Sequence, residues 1–101
     1  MENTYILVKF RLNEGIDISE WKQMSDEITE KIEKEEGCYF RDSAVDTDGN
    51  VYCIIKWENE EKQKAFKEKF HAEMAEKPEI MKEFSRLGDM DTMSVDVLRV
   101  I

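Results

Sequence analysis

The longest nearly continuous apolar run in this chain spans residues 51–57, with the sequence VYCIIKW. A turn signal precedes it, and the polar triplet Glu58-Asn59-Glu60 follows it. Because side chains alternate along a strand, the run carries apolar groups on both faces. Such a run is typical of a strand that is covered on both sides of its sheet. We therefore predict that the other elements are arranged around this strand.

The residues before the run predict a hairpin. Asp48-Gly49 tolerates the positive φ angles of a tight two-residue turn, which would place Thr47 opposite Asn50. The cross-strand pairs that follow from this register are Ala44 with Cys53, Asp42 with Ile55, and Phe40 with Trp57. Since successive side chains of a strand point to alternate faces, Cys53, Ile55 and Trp57 are expected to point to the same side of the sheet.

The first half of the chain predicts a strand, a helix and a second strand. Thr4–Leu12 alternates between apolar and polar positions and indicates the first strand. Asp17 or Ser19 can cap the helix that follows, and Gly37 is a natural stop for it. The apolar stripe of this helix consists of Ile18, Trp21, Met24 or Ser25, Ile28 and Ile32. Residues 39–46 form the second predicted strand.

The second half predicts a helix, a shorter helix and a last strand. Asn59 is the expected cap of the longer helix, which ends before Pro78. Its expected buried side consists of Ala65, Phe66, Phe70 and Met74. A short helix is predicted over residues 79–87, and residues 93–101 (MSVDVLRVI) indicate the last strand.

The order of the main elements is therefore β-α-β-β-α-β within a single domain, residues 1–101. Right-handed crossovers turn this order into an α+β, ferredoxin-like fold: an antiparallel sheet with its helices on one face. The sheet would then present a second apolar face to water. We expect two copies to cover that face by forming a homodimer through the sheet.

Composition narrows the classes of partner. The net charge is −9 and 39% of the residues are charged, so the surface repels phosphate backbones and nucleic-acid binding is not expected. No apolar run approaches the roughly 20 residues of a membrane span, and no signal-like segment begins the chain. A cytoplasmic location without membrane attachment is the expectation.

The cysteines and the histidine do not predict a metal site. In the register above, Cys38 lies opposite position 59, about 20 Å along the sheet from Cys53, so no disulfide is expected between them. His71 is the one histidine, and an isolated imidazole is not a metal site. His71 is interpreted as a solvated or interface residue, with a general base as the alternative.

Three stretches of the sequence resemble the antibiotic biosynthesis monooxygenase family of dimeric α/β-barrels. They are a strand that ends in Trp57 and runs through Glu-Asn-Glu-Glu into a helix, a first strand that runs into Asn-Glu-Gly, and Asp-Met-Asp-Thr-Met before the last strand. The spacing of all six elements is also similar. The resemblance covers nearly the whole chain, and Trp57 is its one sharply defined residue.

The resemblance implies a cofactor-independent oxygenase for aromatic or quinone-type small molecules, because many members of that family use molecular oxygen without metal or flavin. It implies a pocket between the sheet and the helices. The substrate-binding residues would be Trp57, Cys53, Phe66, Phe70 and His71. Two positions depart from the family pattern: Cys53 stands where anthrone-oxidising members have Asn, and Phe66 stands where many members have His.

Two alternatives to an oxygenase remain at this point. One is a non-catalytic module of the same fold that binds a small apolar molecule, which the two departures favour. The other is haem binding or degradation, although the ligand histidine of that related branch is missing from its matching helix position. Trp57 has an alternative structural role, because it could pair with Phe40 in the core instead of lining a cavity.

Overall fold

A computed structural model describes residues 2–101 of the protein. The elements along the chain are β1 (Thr4–Leu12), α1 (Ile18–Ile32), β2 (Cys38–Val45), β3 (Asn50–Trp57), α2 (Glu60–Glu76), α3 (Pro78–Leu87) and β4 (Gly88–Arg99). The four strands form one antiparallel sheet in the order β2-β3-β1-β4. The order and directions confirm the ferredoxin-like α+β arrangement.

The helix caps are those that the sequence indicates. Asp17 caps α1: its carboxylate accepts a hydrogen bond of 2.8 Å from the Ser19 backbone N–H, and Glu20 completes a capping box. Asn59 caps α2 by accepting a 3.0 Å bond from the backbone N–H of Lys62. Each cap satisfies an N–H group that the first helical turn leaves without a partner.

The register of the hairpin differs by one residue from the predicted one. Cys53 lies opposite Ser43, not Ala44, because the connection is a loop of three residues, 47–49, with the Asp46 N–H donating to the Asn50 carbonyl at 3.0 Å. Gly49 has a φ of 85°, as the last position of such a loop requires. A shift of one residue moves every side chain of the strand to the opposite face. Arg41 and Ser43 therefore point to the helix-facing side of the sheet.

The predicted pairing of Phe40 with Trp57 is wrong. The one-residue shift of the hairpin places Phe40 opposite Lys56, and an irregularity between Cys38 and Phe40 leaves Cys38 opposite Trp57. The Phe40 ring instead packs edge-on against Tyr5, with 6.3 Å between ring centroids.

Cys38 thus lies four strand positions from Cys53 (57 − 53 = 4), closer than predicted. At about 3.3 Å per residue the separation is still roughly 13 Å, which is too far for a disulfide. Both cysteines are free thiols.

Two hydrophobic clusters form the core between the sheet and the helices. The first contains Phe10, Trp21, Val51, Cys53 and Leu87, and the second contains Ile6, Ile32 and Trp57. The first lies under α1 and α3, and the second lies where the end of α1 meets α2. All residues of both clusters are on the face of the sheet that the helices cover.

Two elements depart from their predicted bounds or faces. β4 begins at Gly88, five residues earlier than predicted, because Gly88 pairs with Leu12 past an irregularity in which β4 carries the extra residues. A side chain at Gly88 would lie 2.9 Å from the Phe10 ring, so glycine permits this close pairing. In α2 the buried residue is Gln63, while Ala65 and Phe70, both predicted to be buried, are exposed.

The opposite face of the sheet carries half-buried apolar side chains that no helix covers. They include Tyr5, Leu7, Tyr52 and Ile54. The Lys56 ammonium group lies 5.5 Å from the centre of the Tyr5 ring, a distance at which a cation–π attraction forms. We call this surface the open face. Within residues 2–101, no helix is long and apolar enough to cross a bilayer.

Candidate functional site

Four of the five predicted site residues form one aromatic row. The ring centroids are separated by 5.2 Å from Trp57 to Phe66, by 5.7 Å from Phe66 to Phe70, and by 6.4 Å from Phe70 to His71. The row starts in the core, where Trp57 is 1% exposed, and ends at the exposed His71. Phe66 packs against Trp57 and fills the space beside it. A substrate-binding role for this row stays a prediction.

Cys53, the fifth predicted residue, belongs to the other cluster. Its sulfur lies 3.4 Å from Arg41 Nη2 and 3.7 Å from Ser43 Oγ. Burial raises the pKa of the Cys53 thiol, and the neighbouring Arg41 charge offsets only part of that rise. The thiol is therefore neutral at neutral pH.

A cleft of about 380 Å³ opens next to this group, between α1 and the edge strand β2. Its volume lies in the range of small-molecule sites. The residues that line it are Ile18, Trp21, Lys22, Ser25, Asp26 and Thr29 from α1, and 41–45 from β2. The α1 residues recur every three or four positions, so they share one side of the helix. We call this space the α1–β2 cleft.

Trp21 forms a fixed aromatic wall of the cleft. Its indole N–H donates a 3.0 Å hydrogen bond to Ser43 Oγ across the space between helix and strand. The ring also packs edge-on against Phe10 and Phe84, with centroid distances of 4.9 and 5.5 Å. These contacts hold the indole in one orientation, because they restrain both its polar and its apolar edges.

Arg41 lies at the base of the cleft and is 5% exposed. Its Nη1 donates to the Ser25 carbonyl at 3.1 Å, to Ser25 Oγ at 2.7 Å and to Thr29 Oγ1 at 2.8 Å. In the described part of the chain, no carboxylate lies within 4 Å of this guanidinium group. Buried arginines are usually paired with an anion, so this one is exceptional.

The acidic residues closest to Arg41 are engaged elsewhere. Asp26 is bound by Lys22 at 2.7 Å at the exposed mouth of the cleft. Glu33 accepts a 3.1 Å bond from the backbone N–H of Arg41, not from its side chain. Asp42 is the strand neighbour of Arg41 and also lines the cleft, but alternation turns the two side chains to opposite sides of the strand and no ion pair joins them. Within residues 2–101, the guanidinium therefore has no carboxylate as an ion-pair partner.

A second cleft, of about 520 Å³, lies between the start of α2 and the edge strand β4. Its lining residues are Glu2, Thr4, Glu60, Val97, Leu98 and Arg99, and all but Thr4 are exposed. It has no aromatic wall and no buried charge, so its greater volume does not make it the stronger candidate. Among residues 2–101, no group of three or more His, Cys, Asp or Glu side chains could hold a metal ion.

The sequence interpretation missed Arg41, Ser25 and Thr29 as members of a site. The predicted two-residue turn pairs Asp42 with Ile55, and alternation from that pair would direct Arg41 to the open face. A three-residue loop ending at Gly49 is the alternative that the same Asp-Gly pair permits. Counting back from that loop would have placed Arg41 beneath the helix.

No protein-family model and no curated protein matches the chain by sequence. Solved structures do share its fold. A conserved protein from Methanosarcina mazei has a TM-score of 0.75 at 16% identity, with 100% of this chain and 95% of that one covered. A conserved protein from Bacteroides thetaiotaomicron, described as a possible oxidoreductase, has a TM-score of 0.67 at 20% identity, with 98% of each chain covered.

The structure of SnoaB, a cofactor-independent oxygenase from Streptomyces nogalater, is also similar. Its TM-score is 0.68 at 10% identity, and 100% of this chain and 95% of that one are covered. At these identities the likeness establishes the fold that the proteins share. The resemblance to the monooxygenase family therefore holds at the level of architecture.

Proposed function

We propose that this protein oxygenates an aromatic, quinol-type small molecule bound in the α1–β2 cleft, without a metal or flavin. The observation that carries the proposal is the cleft itself. It is of ligand size, has a fixed indole wall and contains a buried positive charge. The shared fold supports the proposal, since SnoaB is a cofactor-independent oxygenase.

The electrons in such a reaction come from the substrate. For a CH₂ group activated by neighbouring aromatic carbonyls, the balance is R₂CH₂ + O₂ → R₂C=O + H₂O. The C–H proton leaves first, the resulting carbanion gives electrons to oxygen, and loss of water from the hydroperoxide leaves the ketone. The protein would hold the ring against Trp21, exclude bulk water and stabilise the electron-rich substrate. Positioning and electrostatic stabilisation would therefore account for the rate enhancement.

Oxygen consumption tests the proposal directly. Purified protein is mixed with anthrones and quinols in an oxygen electrode, and the product is analysed after reaction under ¹⁸O₂. We expect enzyme-dependent uptake, one labelled oxygen atom in the ketone, and a loss of at least tenfold in kcat/KM for Trp21→Ala. The control is Met81→Ala, because Met81 is an exposed apolar residue of α3 outside the cleft. Uptake no faster than in buffer across these substrates would refute the oxygenase.

A second candidate function is non-catalytic binding of an aromatic molecule in the same cleft. It is favoured by the residues of the cleft, none of which is a histidine, and by the exposed position of His71 on α2. In that case a quinol would raise the melting temperature and be recovered unchanged under oxygen. Recovery of an oxidised product in proportion to enzyme would exclude this candidate.

A further inference from the structure

We propose that the α1–β2 cleft is an anion site in which Arg41 receives the oxyanion of a planar aromatic ligand, a carboxylate or a phenolate. The inference rests on the proposed function and deepens it, because it names the chemical class of the molecule that occupies the same cleft. It also holds for a protein that binds the anion without oxygenating it.

The guanidinium group of Arg41 has donors to spare. An arginine side chain carries five N–H groups in a planar fork. Nη1 is satisfied by Ser25 and Thr29, and Nη2 contacts the Cys53 sulfur. Within residues 2–101, the Nε–H of Arg41 has no hydrogen-bond acceptor. The Nε–H and one Nη2–H form one edge of the fork, through which a carboxylate can bind with both of its oxygens.

The charge balance around Arg41 also calls for an anion. A buried charge without a counter-ion is costly, because neutral hydrogen-bond acceptors only partly replace its hydration. Ser25, Thr29 and the neutral Cys53 thiol are the side chains that it contacts. A bound oxyanion would supply negative charge beside a guanidinium that is 5% exposed, where screening by water is reduced.

Apolar side chains specify the body of the ligand. Ile18 and Val45, at 43% and 50% exposure, line the same cleft as Arg41, and the buried Trp21 forms its inner wall. An aromatic ring that packs on Ile18 and Val45 would direct a substituent towards the base of the cleft. Both parts of the ligand are then recognised together: a flat apolar body and one negatively charged oxygen group.

The net charge of the protein helps to distinguish binding of an anion at Arg41 from a general electrostatic attraction. With a net charge of −9 the protein repels anions on average. A preference for the charged member of a matched ligand pair must therefore come from a local cation. Lys22 is the other cation of the cleft, and it is exposed and paired with Asp26.

Calorimetric titration with 2-naphthoate and 2-naphthamide tests the site, because these ligands have the same shape and differ in charge. We expect wild-type protein to bind the naphthoate at least tenfold more tightly than the amide. We expect Arg41→Gln to lose this preference, and Arg86→Gln to keep it. Arg86→Gln changes the net charge equally at an exposed position bound to Glu83 outside the cleft. Equal binding of the two ligands by wild-type protein, or an unchanged preference in Arg41→Gln, would overturn the site for carboxylates.

Binding of a phenolate, the other ligand class, is tested with 4-nitrophenol. The visible absorbance of this compound reports its ionised fraction. At fixed pH near neutrality we expect wild-type protein, but not Arg41→Gln, to increase the phenolate fraction. A preference in the naphthoate pair alone identifies a carboxylate ligand, and an effect on nitrophenol alone identifies a phenolate. Absence of both would overturn the proposal.

Two further measurements keep the test decisive. If circular dichroism shows that Arg41→Gln is unfolded, Arg41→Lys replaces it: a retained charge without the planar fork is expected to lower the preference for naphthoate without abolishing it. Oxygen uptake separates the two proposals. Anion preference without uptake refutes the oxygenase alone, and uptake without anion preference overturns the anion site alone.

Discussion

Ser43 lies directly opposite Cys53 in the ladder between β2 and β3, with its hydroxyl 3.7 Å from the Cys53 sulfur. The same hydroxyl accepts the indole N–H of Trp21 from α1. This pairing fixes the register of the edge strand β2. Because Arg41 is two residues before Ser43, its side chain points to the same face and lies beneath α1. The candidate site therefore depends on the hairpin loop that sets the register.

The conformation of Gly49 gives the first prediction. Its φ of 85° is in the left-handed region, and no atom lies within 4 Å of where a Cβ would be. Gly49→Ala should therefore be destabilised by backbone strain alone, by about 1–2 kcal/mol in urea denaturation. Gly49→Asn is the matched control and should lose less free energy of unfolding, since Asn tolerates the left-handed region. Equal stability of wild type and Gly49→Ala would contradict the loop conformation.

Asp46 gives a prediction about pH. Its carboxylate accepts hydrogen bonds from Asn50, Tyr52 and the backbone N–H of Asp48, and the bonds from Asn50 lower its pKa most, to about 2. Because the folded pKa is below the ordinary value of 3.8, the carboxylate contributes stability above about pH 4 and loses it as the pH falls towards 2.

The measurement is the difference in melting temperature between wild type and Asp46→Ala across this range. We expect wild type to be the more stable protein at pH 7 and the difference to shrink between pH 4 and pH 2. Asp48→Ala serves as the control, because Asp48 contributes only backbone groups to the hydrogen bonds of the loop. A difference that is independent of pH would show that the Asp46 charge is not responsible.

Trp57 is predicted to act mainly on stability. It is 1% exposed and packs against Phe66, so Trp57→Ala should leave a cavity and cost about 3–5 kcal/mol. Phe70→Ala, at the 38% exposed end of the same aromatic row, should cost about 1 kcal/mol or less. Unfolding by denaturant measures both. Similar losses of unfolding free energy in the two variants would contradict the burial of Trp57 and the exposure of Phe70.

We propose that the open face forms the interface of a homodimer. The half-buried Tyr5, Leu7 and Ile54, together with Leu98 at 46% exposure, would be covered by a second copy. Full burial of an exposed apolar side chain contributes about 1.5–3 kcal/mol, and each of these partly exposed side chains would contribute a fraction of that. Sedimentation equilibrium at low micromolar concentration should therefore give twice the chain mass of 12.0 kDa.

A charge on the open face tests the dimer interface. Ile54→Glu is expected to weaken both association and folding. Val95→Glu is the control, because Val95 lies opposite Val8 on the helix-facing side of the sheet and is already 55% exposed. A stable, folded 12.0 kDa monomer in wild-type protein would rule out the proposed dimer.

The sequence predicted those features that local chemistry decides. The cap at Asn59, and Asp17 as one of two candidate caps of α1, follow from short-range patterns, and they are confirmed. The position of β4 did not follow, because the close approach of Gly88 to Phe10 is a tertiary contact.

The candidate site could not be predicted from the sequence, because it depends on which hairpin loop forms. Asp48-Gly49 fits both a two-residue turn and a three-residue loop, and local propensity does not distinguish them. The Asp46 side chain stabilises the longer loop through its bonds to Asn50 and Tyr52. The choice between the two loops moves Arg41 from one face of the sheet to the other.

The location of the ligand site can be tested with the two indole N–H resonances, one from Trp21 and one from Trp57. A ¹⁵N-labelled sample is titrated with a quinol under nitrogen, so that binding is seen without turnover, and Trp21→Phe assigns the peaks. We expect a saturable shift of the Trp21 resonance, which reports on the α1–β2 cleft, and no shift of the Trp57 resonance. A saturable shift of Trp57 with Trp21 unchanged would contradict the proposed site and place the ligand at the aromatic row.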